Sequence, residues 1–191
     1  MKRLIFLIAV LYASGLHAQQ QPEHARTREY NTALGVECTH CHAAIDFADA
    51  AKPTFDFARR MERMRAGLND GPLKAYGPIS CWTCHRGNAR PARLARERWE
   101  PIAAAHDADF AGTAAGRRLA MAVYAASLGV ECSYCHEADW KNGSKPAYRM
   151  VEAMLPIFDL IPTYFDKDVR MPQTQCFMCH QGRVKPERSK P

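Results

Sequence analysis

The eight cysteines of this 191-residue chain fall into four Cys-x-x-Cys pairs, and a histidine directly follows each pair. The sets are Cys38, Cys41 and His42; Cys81, Cys84 and His85; Cys132, Cys135 and His136; and Cys176, Cys179 and His180. Two thiols about one helical turn apart can add to the two vinyl groups of one porphyrin. The next residue then points its imidazole at the iron from the same side. The pattern predicts four covalently bound haem c groups, with His42, His85, His136 and His180 as proximal iron ligands. Zinc knuckles would not need a histidine after every pair. A disulfide framework suits an exported chain but leaves the four histidines unexplained. Thioredoxin-like motifs come singly, in a strand–helix setting absent here.

Each iron has a second axial position. The remaining histidines are His17, His24, His40 and His106. His17 lies in an expected leader segment, so histidine cannot complete all four irons. Methionine is the next donor, and a Met/His pair raises the haem potential. Met61 and Met150 each precede the second motif of their half and are the candidates for the second and fourth haems. Met64 and Met154, one turn along, are the competitors. Met121, ahead of Cys132, is the candidate for the third haem. The matching position before the first motif is Thr27, and His24, one turn earlier, is the candidate there. Methionine on an apolar helix face is otherwise core filler, the role expected of Met171 and Met178. His40 is expected to face solvent and His106 to lie on the surface of the linker.

The elements that must hold these residues come as a tandem duplication. Leu34-Gly35-Val36-Glu37-Cys38 nearly repeats as Leu128-Gly129-Val130-Glu131-Cys132, with Tyr30 and Tyr124 equally spaced before each. Cys81-Trp-Thr-Cys-His-Arg-Gly87 matches Cys176-Phe-Met-Cys-His-Gln-Gly182, and Ala58-Arg-Arg-Met61 matches Ala147-Tyr-Arg-Met150. Helical periodicity is clear over residues 55–68, 114–128 and 147–158, with Pro156 expected to kink or end the last. Strand-like alternation is essentially missing. The expectation is an all-α, loop-rich multihaem fold of two tandem dihaem repeats, residues 19–100 and 101–191, with short helices packed on the haems. The Pro101- and Ala-rich stretch at 95–110 marks the boundary. Much of the buried apolar surface is expected to be porphyrin.

Residues 1–18 read as a signal peptide. Lys2 and Arg3 precede a short apolar run at 4–13, too short to span a bilayer, which needs about 20 residues. No other stretch is apolar enough to span, so the mature chain is expected to be soluble and in the periplasm or outside the cell. The formal net charge is +6, and two ionised propionates on each of four haems would carry it below zero. Arg and Lys form no basic stripe, which argues against nucleic-acid binding.

Leu128-Gly-Val-Glu-Cys-Ser-Tyr-Cys-His136, Cys81-Trp-Thr-Cys-His-Arg-Gly-Asn88 and Arg59-Arg60-Met61 resemble the tetrahaem cytochrome subunit of bacterial photosynthetic reaction centres. The resemblance spans residues 30–188. It implies a mostly helical fold, axial methionines on helices packed over the haems, and re-reduction of a photo-oxidised pigment pair. By similarity, Met61 and Met121 match the family's axial methionines for the second and third haems. Where the family takes a histidine for its fourth haem this sequence has Ala75, and Met150 takes its place. The expected function is a one-electron relay between membrane-bound or periplasmic redox partners. Two alternatives stay open: an enzyme reducing a small molecule at an open first haem, and a conducting filament of self-associated subunits in which His40 or His106 ligates a neighbour's haem.

Overall fold

The computed structural model describes residues 21–43, 51–106, 115–140, 142–165 and 176–190; the expected leader lies outside them. Among the described residues every regular element is helical. The first half contains α1 (Gln21–Leu34), a 3₁₀ turn (Cys38–His40), α2 (Pro53–Asp70) and α3 (Cys81–His85). The boundary stretch forms α4 (Arg96–Ala105). The second half contains α5 (Ala115–Leu128), a 3₁₀ turn (Cys132–Tyr134), α6 (Pro146–Met154), α7 (Pro156–Leu160), a 3₁₀ turn (Ile161–Tyr164) and α8 (Cys176–His180).

Local chemistry sets the boundaries. Pro53 and Pro146 open α2 and α6, each behind an extended lysine, Lys52 or Lys145. Proline suits a first helical position because its missing N–H would have no partner there. Both lysines donate back to the preceding 3₁₀ turn of their half, Lys52 to the Thr39 carbonyl and Lys145 to that of Ser133. Pro156 divides α6 from α7, the break expected from its fixed φ and lost donor.

The two halves pack alike. Helix α1 lies on α3, α5 lies on α8, and α3 meets α8 between the halves. Each packing depends on a glycine just past the long helix. A Cβ on Gly35 (φ +64) would stand 2.1 Å from the Gly87 carbonyl oxygen, and one on Gly129 (φ +66) 2.3 Å from that of Gly182. The close approach lets Gly87 N–H donate to Ala33 O at 2.7 Å and Gly182 N–H to Ser127 O at 2.8 Å. Only glycine combines that backbone with that contact.

Among the described residues, side chains alone make two small cores. Leu68, Leu73, Ile161 and Phe165 join α2 to the second half, and Leu94, Ala126 and Phe177 join the segment before α4 to α5 and α8. Segments also cross between the halves. Ser80 donates to the Arg188 carbonyl, Arg188 donates to the Tyr76 carbonyl, and the Arg98 guanidinium lies 5.0 Å over the Phe177 ring.

Candidate functional site

The second and fourth motifs are themselves the helices α3 and α8. Each ends in a left-handed residue, Arg86 (φ 47) or Gln181 (φ 48), followed by a positive-φ glycine. That turn brings a carbonyl back onto each histidine. His85 Nδ1 lies 3.0 Å from Asn88 O, and His180 Nδ1 3.0 Å from Arg183 O. Iron-bound histidines usually donate their other ring N–H to such a carbonyl, which fixes the tautomer and leaves Nε2 for the metal. Burial lowers the proton affinity of both imidazoles, favouring the neutral, ligating form. Burial also pushes the Cys81 and Cys176 thiols up to about 11, with Glu29 adding at Cys81. Where α3 and α8 meet, Cys84 and Cys179 are joined as a disulfide, with Cα atoms 4.3 Å apart. The sequence expects thioethers at both sulfurs. The second cysteines of two separate motifs thus share one point, where the two halves meet.

The first and third motifs form single turns closed by His42 N–H to Cys38 O and His136 N–H to Cys132 O, both 3.1 Å. Burial raises the Cys41 and Cys135 thiols here too. Aromatic rings brace the histidines edge-on: Phe55 against His42 at 5.3 Å and Tyr148 against His136 at 5.5 Å. Around the third motif lies a cavity of about 140 Å³ whose lining includes Met121, Cys132, Cys135, His136, Trp140 and Tyr148. It brings one candidate methionine, one imidazole and two thiols into a common space with mostly apolar walls. That donor set and enclosure fit a haem edge.

The structure places the remaining candidates as follows. Met61, Met64 and Met154 pack on the core cluster of Leu68 and Ile161, while Met150 is 44 % exposed. Pro53 corresponds to Pro146, and Phe55 to Tyr148 through their histidine contacts. In that register Met61 pairs with Met154 and Leu68 with Ile161. The equivalence of Met61 with Met150 is therefore corrected: the shared Ala-x-Arg-Met text is one helical turn out of structural register. His24 lies in the first turn of α1, and Thr27 stands on α1 where α5 carries Met121. His40 is exposed, as expected. His106 is not simply a surface residue: it is half-buried with its ring 6.2 Å from Trp140, which in turn lies 5.2 Å from His136. Met171 lies outside the described residues.

Reading the motifs alone misses Phe55, Tyr148 and Trp140, whose aromatic character was the available signal. It also misses a polar trio beside Cys81. Arg65 donates to Glu62 at 2.6 and 2.9 Å, with Tyr30 close by. The bonds from Arg65 hold the Glu62 carboxyl below its ordinary range. Burial, with Glu62 and Cys81 adding, pushes the Tyr30 phenol up to about 12.

Comparison with known families matches the model for the photosynthetic reaction centre cytochrome C subunit over residues 28–131. The matched stretch takes in the second half of α1, the first and second motifs, the helices α2 to α5 and the approach to Cys132.

Proposed function

Because the chain belongs to the photosynthetic reaction centre cytochrome c subunit family, a family of electron-transferring c-type cytochromes, we propose that it is a four-haem relay passing single electrons between redox partners. Covalently bound haem c supplies the one-electron Fe(III)/Fe(II) couple. The chain's own part is to hold four such groups close together and set the ligands of each. The observation that carries the reading is the meeting of α3 and α8 at Cys84 and Cys179, which gives attachment sites from different halves a common point. A sulfur cannot be thioether and disulfide at once, so in the haem-loaded protein these two sulfurs belong to the second and fourth haems.

For the distal positions, the shared cavity supports Met121 on the third haem. The family relationship supports Met61 on the second, although Met61 and Met64 both pack on the core cluster. On α6 the structural register favours Met154 over Met150 for the fourth. His24 is assigned to the first haem, with Thr27 in place of a methionine. If His24 does not bind, the first iron is open to small molecules. Export to the periplasm or beyond is proposed from the leader-like residues 1–18. No described helix is long and apolar enough to cross a membrane.

The test is mass spectrometry and pyridine haemochrome on the holoprotein, with peptide mapping under non-reducing conditions. Four haems, every cysteine in thioether linkage and no Cys84–Cys179 cross-link are expected. A retained cross-link with two haems missing would sink the four-haem reading. EPR of the oxidised protein then distinguishes a low-spin first haem from an open, high-spin one.

A further inference from the structure

The two crossing attachment helices differ in charge at their histidine ends. Arg86 and Gln181 occupy the same left-handed position in the two halves, but their side chains go different ways. Gln181 Nε2 stays on its own helix, donating to Met178 O at 3.4 Å. Arg86 reaches across the crossing, and its Nη2 donates to Cys179 O at 3.0 Å, one residue before His180. The Arg86 side chain is only 13 % exposed. Its carboxylate partner, Glu187, stands 4.0 Å from Nε and is also held by Arg183. Two guanidiniums thus share one carboxylate beside α8, which leaves one positive charge in excess. The other arginine from the tail, Arg188, reaches the Tyr76 carbonyl ahead of α3, at the end of that helix remote from His85. Arg86 caps α3 next to His85 but carries its guanidinium across to α8, so the histidine end of α8 receives a cation from α3, while Gln181 sends no side chain back to α3.

Resting on the four-haem reading, we propose that Arg86, contributed by the first half, is a positioning and tuning residue for the fourth haem, holding its reduction potential above that of the second and so giving the central pair a direction. Iron carries one positive charge less when reduced. A buried guanidinium beside its ligand helix therefore favours the ferrous form, and in a partly desolvated site the effect is not screened away.

The experiment is a potentiometric titration of the holoprotein followed by EPR, with haem counted first. R86Q is expected to lower one of the four midpoints, changing the ferrous-to-ferric ratio of that haem at fixed potential by about tenfold, equivalent to 59 mV for one electron. R86K, which keeps the charge but not the planar fork, is expected to retain most of that midpoint. E187Q, which keeps Arg86 and removes the shared carboxylate, is expected to raise the same midpoint, and it provides the test if R86Q fails to assemble. Four haems with every midpoint unmoved in R86Q and E187Q, or two midpoints falling together in R86Q, would overturn the inference and leave the relay standing. Fewer than four haems in the wild type, with the fourth missing, would overturn both.

Discussion

The first and second halves share a scaffold but not an interior. Both place a long helix on a motif helix through a glycine, both turn a carbonyl back onto the second motif's histidine, and both brace the first motif's histidine with an aromatic ring. Beside Cys81 the first half has the Tyr30, Glu62 and Arg65 trio. In the structural register the second half has Tyr124, Leu155 and Phe158 at those positions. What the halves keep in common is what attachment of a flat, rigid group demands. What they vary is the polarity and charge around it, the means by which a protein sets the potentials of otherwise identical haems.

The strongest way to break the comparison is through the shared glycines. Gly35→Ala and Gly129→Ala each force a Cβ to within 2.1 or 2.3 Å of a carbonyl oxygen at a left-handed backbone position. Each is expected to cost ~4 kcal/mol or more, about 10 °C in thermal midpoint for a chain of this size, followed by circular dichroism in the haem band. The two losses should be alike. A severe loss in one and a mild loss in the other would mean that the halves do not depend on the same contact.

Methionine substitutions test the register. Met154→Leu is expected to remove one His/Met near-infrared band and lower one midpoint by ~0.1 V, a small part of the range that axial ligands span. Met150→Leu is expected to leave all bands in place, because in the structural register Met154, not Met150, stands opposite Met61. The reverse pattern would restore Met150 as the ligand and make the text match the true equivalence.

This register shows how far the residues speak for themselves. The four motifs were legible because their chemistry is local: thiols and imidazole lie within one turn. The helices over 55–68, 114–128 and 147–158 were legible from apolar period, and so was the break at Pro156. Met121 could be placed because it precedes its motif along a single helix. The Met61 partner could not, since the decoy Ala-x-Arg-Met lies on the same helix and only the contacts of Phe55 and Tyr148 reveal the offset. The α3–α8 crossing and the reach of Arg86 join residues 93 and 95 positions apart, and no local pattern encodes such pairings.

Glu62 sharpens the polar difference at lower cost. Hydrogen bonds from Arg65 hold its folded carboxyl below the ordinary 4.5. The stabilisation is therefore complete above about pH 4.5 and is lost as pH falls through the lower folded value. Glu62 is 30 % exposed, so solvent screening keeps the contribution to ~1 kcal/mol. Glu62→Gln is expected to flatten the acid limb of stability by that amount, read by denaturant melts at several pH values. Leu155 has no charge to titrate, so Leu155→Met is expected to leave the limb unchanged. An acid limb that survives in Glu62→Gln would remove the trio from the comparison.

The smallest expected effect comes from a single hydroxyl on the ring beside the third motif. Tyr148 differs from Phe55 only by a hydroxyl, yet both stand edge-on to their histidines with centroids 5.3 and 5.5 Å away. If the ring is what positions the imidazole, the hydroxyl is dispensable. Tyr148→Phe should then change stability by less than ~0.5 kcal/mol and leave the third haem's EPR signal in place. Tyr148→Ala removes the ring from the cavity wall and should cost ~3 kcal/mol, broadening that signal as His136 loses its brace. The same pair of outcomes is expected from Phe55→Tyr and Phe55→Ala on the first haem. A Tyr148→Phe change as damaging as Tyr148→Ala would mean that the third site uses the phenol, and that the two halves diverge even at the contact that defines their register.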